Sequence, residues 1–257
     1  MIRPVENPFP GLSEIVPRAK YLPMVASTNQ YLTEEWHHFS DYGVVFSLNQ
    51  TDGRGRKGRT WVSVPGETLC LSILVPISGQ SRNAESLPLI AGASLLDTLR
   101  TLGLGDAEMK WPNDILVGKR KIAGILCEVI SSTYAVVGIG VNLTSIPGDL
   151  AEENVCSLKD FGLGLHEEIA PLLGHLVRLL SNRWSDASTL VESQTWEQFF
   201  STRLGTLGRK IQITLDDGSS WSGLASGLDS MGRLLVIPEG ETIARALSSG
   251  DVRHLRA

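Results

Sequence analysis

The sequence predicts an α+β protein, with a mixed domain of helices and strands over residues 21–205 and a small all-β domain over residues 208–257. Three observations predict this fold class. Apolar residues recur at helical spacing over residues 87–102 and again over 169–184. Short apolar runs typical of strands precede these helices and lie between them. After Gly208 the pattern changes to short strands separated by glycine-containing turns, which is typical of a small barrel.

Composition excludes several classes of protein. The chain has 257 residues, of which 42% are hydrophobic and 20% charged, enough for a substantial core. A net charge of −5 argues against a dedicated nucleic-acid binder. The longest apolar runs fall far short of the roughly 18 residues that indicate a membrane span, and the N-terminus lacks the apolar core of a signal peptide. The three cysteines lie far apart beside apolar runs, which suits reduced thiols in a cytoplasmic protein.

Individual elements follow from local patterns. Residues 1–20 are rich in proline and lack periodicity, so we expect an irregular N-terminal arm. Ser27, Thr28 and Asn29 open a helix in which apolar residues recur as far as Phe39. The next predicted elements are strands 44–48 and 69–76, helix 86–103, strands 108–111, 121–130 and 135–142, and helices 169–184 and 196–203. The tail adds four predicted strands, at 210–215, 221–228, 233–238 and 242–247.

Residues 53–59 form a glycine- and arginine-rich loop, with three glycines and four cations in seven positions. Glycines allow backbone amides to converge on an anion, and arginines offer forked donors that match phosphate or carboxylate oxygens. A flexible basic turn on the surface is the alternative, but the alternation of glycine and arginine favours an anion-binding loop. We expect the loop to be disordered without ligand, because four clustered cations repel one another.

Two glycine patterns resemble nucleotide-binding motifs but lack features that those motifs require. A P-loop would need lysine in place of Arg59 and a helix directly after Thr60, and Trp61 and Pro65 follow instead. The segment 138–142 lacks the third glycine of a dinucleotide motif and has no helix after it. We expect its glycines to let a ligand or a neighbouring strand approach the backbone closely.

The segment KWPND at 110–114 is a second candidate for chemistry. Pro112 ends the strand and displays Asn113 and Asp114, whose amide and carboxylate could contact a base edge or Mg²⁺. A simple turn that closes a hairpin fits the same residues equally well. If the strand after this segment returns beside Asp114, Lys121 points into the same cleft.

Other catalytic signatures are absent from the sequence. No cysteines have zinc spacing, there is no G-x-S-x-G motif, and the adjacent His37 and His38 point to different sides of a helix. The chain offers cations, amides and hydroxyls. This inventory favours stabilisation of charge on a nucleotide and an acid over a covalent enzyme intermediate.

Taken together, these segments resemble the biotin protein ligases. The shared motifs are Ser27-Thr28-Asn29, Gln50 with GRGRKGRTW at 53–61, KWPND at 110–114, KIAGILCE at 121–128 and GIGVN at 138–142, in the family's order. The resemblance runs from about residue 20 to the C-terminus. It implies a catalytic domain like that of class II aminoacyl-tRNA synthetases, followed by an SH3-like barrel.

The resemblance also implies a two-step reaction. Biotin and Mg²⁺-ATP would give biotinoyl-5′-adenylate, and a carrier lysine would then displace AMP. The partner would be a biotin carboxyl carrier protein or the carrier domain of a biotin-dependent carboxylase, with no nucleic acid or membrane involved. Only 26 residues precede Ser27, too few for a DNA-binding domain, so we expect no repressor function. Nothing in the sequence decides between a monomer and a homodimer.

Site residues follow from the same motif matches. The resemblance implies biotin contacts from Ser27, Thr28, Asn29, Gln50, Arg54, Gly55, Arg56 and Lys121. It implies contacts to ATP and the adenylate from Arg54, Arg56, Arg59, Trp61, Lys110, Asn113, Lys121 and Asn142. Catalytic roles would belong to Lys121, Arg56 and Asp114, with Asp114 also a Mg²⁺ ligand or a positioner of the attacking lysine.

Two alternatives remain from the sequence. A lipoate or octanoate ligase or transferase would share the scaffold, but such proteins typically carry an R-R-x-S-G-G-G stretch that this chain lacks. A non-catalytic sensor of biotin or its adenylate would retain the binding motifs without turnover of ATP.

Overall fold

A computed structural model describes residues 9, 12–17, 19–78, 84–145, 154–163, 168–185 and 196–255. Its α-helices are α1 (Leu12–Ile15), α2 (Thr28–Glu35), α3 (Leu87–Thr101), α4 (Ile169–Ser185) and α5 (Trp196–Phe200). None of the helices in these ranges is long and apolar enough to cross a membrane.

The larger of two sheets has seven strands. They are β1 (Ala19–Tyr21), β2 (Val44–Ser47), β3 (Thr68–Pro76), β4 (Ala107–Lys110), β5 (Asp114–Val117), β6 (Arg120–Val129) and β7 (Tyr134–Asn142). Their order in the sheet is β1-β2-β3-β7-β6-β5-β4. The β1–β2 pair is parallel, and every other pair is antiparallel. Because β3, β7 and β6 lie side by side in the middle, residues from distant parts of the sequence share one central surface.

Alternate residues of these strands serve two different cores. Val44 and Phe46 of β2 belong to the large core beneath α3 and α4, whereas Val45 between them packs in a smaller cluster with Leu32 of α2. This alternation follows from the two-residue period of a strand. The sheet therefore carries α3 and α4 on one face and α2 on the other.

The start of α2 is fixed as the sequence predicted. Ser27 has an extended backbone, and its hydroxyl accepts a hydrogen bond from the backbone N–H of Gln30. Such an N-cap satisfies one of the free amides at the helix start. Ser27, Thr28 and Asn29 are all buried, so their polar side chains must find partners within the protein.

The C-terminal part of the chain forms a second, five-stranded antiparallel sheet, which confirms its predicted all-β character. Its strands are β8 (Lys210–Thr214), β9 (Ser220–Leu228), β10 (Leu234–Pro238), β11 (Arg245–Leu247) and β12 (Asp251–His254), in the order β11-β10-β9-β8-β12. Polar contacts connect the residues that lead into this sheet to β4 and to the KWPND segment. Arg209 pairs with Glu108 at 3.0 Å, and the Thr206 hydroxyl accepts the Trp111 N–H at 3.0 Å.

Three local predictions were wrong or incomplete. The N-terminal arm contains α1 and β1, because Phe9, Leu12 and Val16 are spaced to bury their side chains together. Strand β5 was interpreted only as a turn, although its Ile-Leu-Val run pairs with β4 and β6. Strand β12 was not predicted.

Candidate active site

A cleft with a cavity of about 250 Å³ opens on the α2 face of the large sheet. The start of α2, the glycine- and arginine-rich loop, the KWPND turn, strands β6 and β7, and the start of β12 all line it. Every site residue predicted from the sequence lines this cleft except Asn142.

Glycines make the floor of the cleft. In the sheet register Cys70 of β3 lies opposite Gly140 of β7, and Gly140 lies opposite Gly124 of β6. One step along, Ser72 lies opposite Gly138. All of these positions face α2. Because the glycines among them have no side chains, they leave a depression in this face of the sheet.

The indole of Trp61 lies on this floor. A Cβ atom at Gly140 would come within 2.2 Å of Trp61 Cε2, and one at Gly124 within 3.1 Å of Trp61 Cζ3. A Cβ at Gly138 would likewise meet Asn29 Oδ1 at 2.1 Å. The sequence predicted that a ligand or a neighbouring strand would approach the glycines of segment 138–142. In the structure, the side chains of Trp61 and Asn29 approach them. Trp61 Nε1 is buried, and none of the described residues accepts a hydrogen bond from it within ordinary geometry.

The inner end of the cleft is a hydrogen-bonded polar cluster. Gln50 Oε1 accepts from the backbone N–H of Thr28 at 2.9 Å and from its hydroxyl at 3.2 Å. The Ser72 hydroxyl donates to Asn29 Oδ1 at 2.6 Å, and the Asn29 amide donates to Glu128 at 2.6 Å. These bonds fix the orientation of the Gln50 and Asn29 amides before a ligand binds.

Cations dominate the outer wall. The cleft is lined by two carboxylates, Asp114 and Asp251, and by five cations, Arg54, Arg56, Arg59, Lys110 and Lys121. Burial lowers the pKa of the Arg56 guanidinium, and the carboxylates of Asp251 and Asp114 oppose that shift. Burial likewise lowers the pKa of Lys110. In a chain of net charge −5, this wall is a local site for anions.

The KWPND segment both closes a hairpin and lines the cleft, so the two interpretations of its sequence hold together. Lys110 lies opposite Asp114 in the β4–β5 register, and the Trp111–Pro112 peptide bond is cis. Asn113 donates to the backbone carbonyl of Ile125 at 2.8 Å and accepts from Arg56 at 3.2 Å.

Lys121 lies where the sequence suggested it could. Its Nζ is 2.7 Å from Asp114 Oδ1 and 5.5 Å from the centre of the Trp61 ring. The β5–β6 pairing brings the two strands together, and an irregularity in register at Ile115 and Leu116 accompanies it. Lys121 therefore connects the carboxylate of the turn to the indole on the glycine floor.

Asn142 lies outside the residues that line the cleft. It is only 3% exposed, and its amide donates to the carbonyl of Cys156 at 3.0 Å. Conversely, the sequence missed Asp251 and Val252, which reach the cleft from β12. No local pattern near either residue marks it as part of a site.

The structure also bears on three other kinds of site: a P-loop, a metal site and a cysteine nucleophile. No helix follows Thr60, which confirms that the loop is not a P-loop. Among the described residues, no three His, Cys, Asp or Glu side chains converge to hold a metal ion. Burial raises the pKa of the Cys70 thiol to about 12, so the thiol facing the cleft is protonated and a poor nucleophile.

Comparison with known proteins places these features in context. A family model described as the biotin/lipoate A/B protein ligase family matches residues 21–142. The biotin–[acetyl-CoA-carboxylase] ligase of Mycobacterium tuberculosis is 33% identical over 83% of this chain and 79% of its own length. The bifunctional ligase/repressor BirA of Escherichia coli is 28% identical over 85% of this chain and 69% of its own length.

A solved structure shows the same similarity. The biotin protein ligase from Aquifex aeolicus in complex with biotin and ATP is 25% identical, with a TM-score of 0.73 over 93% of this chain and 99% of that one.

Proposed function

The chain belongs to the biotin protein ligases of the biotin/lipoate A/B protein ligase family, and from this premise we propose how its cleft activates biotin with ATP and transfers the biotinoyl group to a carrier lysine. The observation that carries the proposal is the arrangement of one cleft. A glycine floor and a fixed polar end lie beside a wall of five cations and two carboxylates. One end suits a neutral ring system, and the other suits a carboxylate and phosphates.

The first step joins two anions. The biotin carboxylate attacks the α-phosphorus of ATP, a C–O–P bond forms, and pyrophosphate leaves. Like charges approach only when cations offset them, and the phosphorus centre gathers further negative charge in the transition state. Lys121 and Arg56, which line the cleft, would supply that offset, and Arg54 and Arg59 line the same cleft.

The polar cluster at the inner end would hold biotin. The side chains of Ser27, Thr28, Asn29 and Gln50 offer fixed donors and acceptors to a ureido group. The apolar indole of Trp61 would contact the ring or chain of biotin or the adenine. Asn113, beside Arg56, would contact the nucleotide.

The second step needs a shielded intermediate. A mixed anhydride hydrolyses in water, so the loop at 53–59, folded over the cleft, would protect it. The neutral carrier lysine then attacks the carbonyl carbon, AMP leaves, and the new amide loses a proton. Asp114 would orient the incoming amine.

Mg²⁺ fits this site only as a partner of the nucleotide. Of the residues that the structure describes, only two carboxylates line the cleft as possible ligands for Mg²⁺. Both already pair with cations, Asp251 with Arg59 and Asp114 with Lys121. Mg²⁺ in phosphoryl-transfer sites commonly uses one or two carboxylates together with substrate phosphates. Asp114 would hold the ion, which would supply further positive charge at the phosphates.

The partner and the location complete the proposal. A carboxylase ligase among the relatives points to a biotin carboxyl carrier domain as acceptor. Three free cysteines in the described part of the chain suit the reducing cytoplasm.

ATP–pyrophosphate exchange tests the proposed function directly. It should be run with biotin, with lipoate and with no acid, followed by transfer to a carrier domain. Exchange that depends on biotin and ignores lipoate is the expected result. Exchange with lipoate alone would contradict the biotin assignment. Tight biotin binding without exchange would identify a sensor instead of an enzyme.

A further inference from the structure

Two carboxylates of the C-terminal sheet region hold the glycine- and arginine-rich loop. Lys57 Nζ lies 2.8 Å from Asp216 Oδ1 and 3.5 Å from Asp251 Oδ2. Arg59 pairs with the same oxygen of Asp251. The loop and its two counter-ions are separated by more than 150 residues of sequence.

The backbone of the loop is shaped around these contacts. Residues Arg56–Gly58 form a 3₁₀ turn in which Lys57 has a φ of 56°, a left-handed conformation that non-glycine residues seldom adopt. This conformation goes together with a Lys57 side chain that is only 27% exposed and lies against Asp216. Ser249 donates to the other oxygen of Asp216 at 3.2 Å, so that carboxylate is itself oriented.

Two carboxylates lie where they can offset the charge repulsion within the loop, which the sequence predicts to be disordered without ligand. Four cations within seven residues repel one another, but Asp216 and Asp251 offset that repulsion. The hydrogen bond from Lys57 is the main cause of a lowered pKa at Asp216, so this carboxylate stays charged. Arg56 adds a longer contact, 3.5 Å, to the carbonyl of Gly250.

We propose that Asp216 and Asp251 are positioning residues that hold the glycine- and arginine-rich loop closed over the cleft. Through Lys57 and Arg59 they keep Arg56 at the cleft wall and slow the escape of the adenylate. That the retained molecule is an adenylate rests on the proposed function, whereas the closure of the loop does not. Exposed ion pairs are individually weak, so the effect comes from the pairs acting together.

Limited proteolysis tests the closure without any substrate. Arg54 and Arg59 are exposed, and trypsin should cleave after them faster when the loop opens, because the backbone must leave its folded conformation to enter the protease. Mass spectrometry identifies both cuts. We expect Asp216→Asn and Asp251→Asn each to speed cleavage at these bonds at least about threefold, and the double variant about tenfold. Asp217→Asn is the matched control, because Asp217 bonds to Ser219 and has no ion pair with the loop in the described contacts.

The salt dependence of cleavage and further variants distinguish opening of the loop from a general loss of folding. Raising the salt from about 0.05 M to about 0.5 M should speed cleavage in the wild type, and hardly at all in the double variant, because salt screens the pairs. Lys57→Gln should reproduce the effect at the Arg54 and Arg59 bonds, and Asp251→Glu should restore slow cleavage. Cleavage of the double variant at the wild-type rate would overturn the proposal.

Release of the adenylate tests the consequence. In a chase with unlabelled substrate, the double variant should lose radiolabelled adenylate about tenfold faster than the wild type or Asp217→Asn. Faster loop cleavage in a protein that forms no adenylate would support the closure and refute the proposed function. Faster cleavage with unchanged release would overturn the role in retention.

Discussion

Lys121 Nζ lies 2.7 Å from Asp114 Oδ1, so the cation best placed to meet a substrate anion already has a carboxylate partner. We therefore propose that Asp114 holds Lys121 in place for the first chemical step.

Replacing Lys121 tests this role. Lys121→Ala should slow adenylate formation by about 100-fold or more, because it removes one preorganised charge at the reacting phosphate. Biotin affinity should fall far less, since the polar cluster at the inner end stays intact. Single-turnover formation of adenylate, beside calorimetric biotin binding, gives both quantities. The exposed Lys119→Ala is the control, and an unchanged single-turnover rate in Lys121→Ala would remove the residue from the chemistry.

Arg56 should retain the intermediate. Arg56→Gly removes the contact to Asn113 and a charge-assisted bond of about 1.5–3 kcal/mol to the adenylate, so the intermediate should escape and label lysines on bystander proteins. Arg56→Lys keeps the positive charge but loses the forked donors of the guanidinium, and it should release less adenylate than Arg56→Gly. Biotinylation of serum albumin added to the reaction measures the escape. Labelling of the proper carrier alone, at the wild-type rate, is the opposite result.

The glycine floor should tolerate no added methyl group. Gly140→Ala would place a Cβ 2.2 Å from Trp61, so the indole must move into the space that a ligand needs. We expect biotin affinity to fall more than about tenfold, from an overpacking cost of about 1–3 kcal/mol. Gly92→Ala is the matched control, because its Cβ would meet the ends of the Met109 and Ile125 side chains in the core and not the indole of Trp61. The stabilisation of each variant against heat by biotin measures affinity, and equal stabilisation of both variants would contradict this account.

His254 should make stability depend on pH. Burial first, and then Arg209 and Lys110, lower its pKa to about 4, so the folded protein holds it neutral at pH 7. Its Nε2 lies 3.1 Å from the Thr206 hydroxyl, which accepts the Trp111 N–H. Between about pH 6.5 and 4 the unfolded chain binds the proton more strongly, so stability falls as the pH falls through that window.

Urea unfolding at about pH 7 and about pH 4.5 measures this dependence. His254 should contribute about 1–2 kcal/mol to the loss of stability on acidification, after allowance for partial screening by solvent. His254→Asn should flatten the pH dependence by that amount. The exposed His38→Asn is the matched control. An equally steep dependence in both variants would assign the titration to other groups.

Local signals in the sequence found most of the fold. The helix at 169–184 has a strong apolar rhythm, and Ser27 caps its helix as such residues usually do. Strand β5 was missed because its three apolar residues directly follow Pro-Asn-Asp, which is typical of a turn. Strand β12 was missed because Asp-Val-Arg-His has only one apolar residue to mark it.

Sequence motifs likewise predicted part of the candidate site and missed the rest. Motifs located the cations and amides of the cleft, because those residues lie close together in the sequence. They could not locate Asp216 and Asp251, whose relation to the loop exists only once the second sheet has formed. Nor could they place Asn142, whose amide bonds to a carbonyl of a later segment.

The pairing of Arg59 with Asp251 also has a consequence for the order of synthesis, since the two partners are 192 residues apart in the chain. Ribosomes add about 5–20 residues per second, so the loop emerges some 10–40 seconds before its counter-ion. During that interval Lys57 and Arg59 lack the two carboxylates that pair with them in the folded protein. Arg59 can form its ion pair only after translation has passed residue 251.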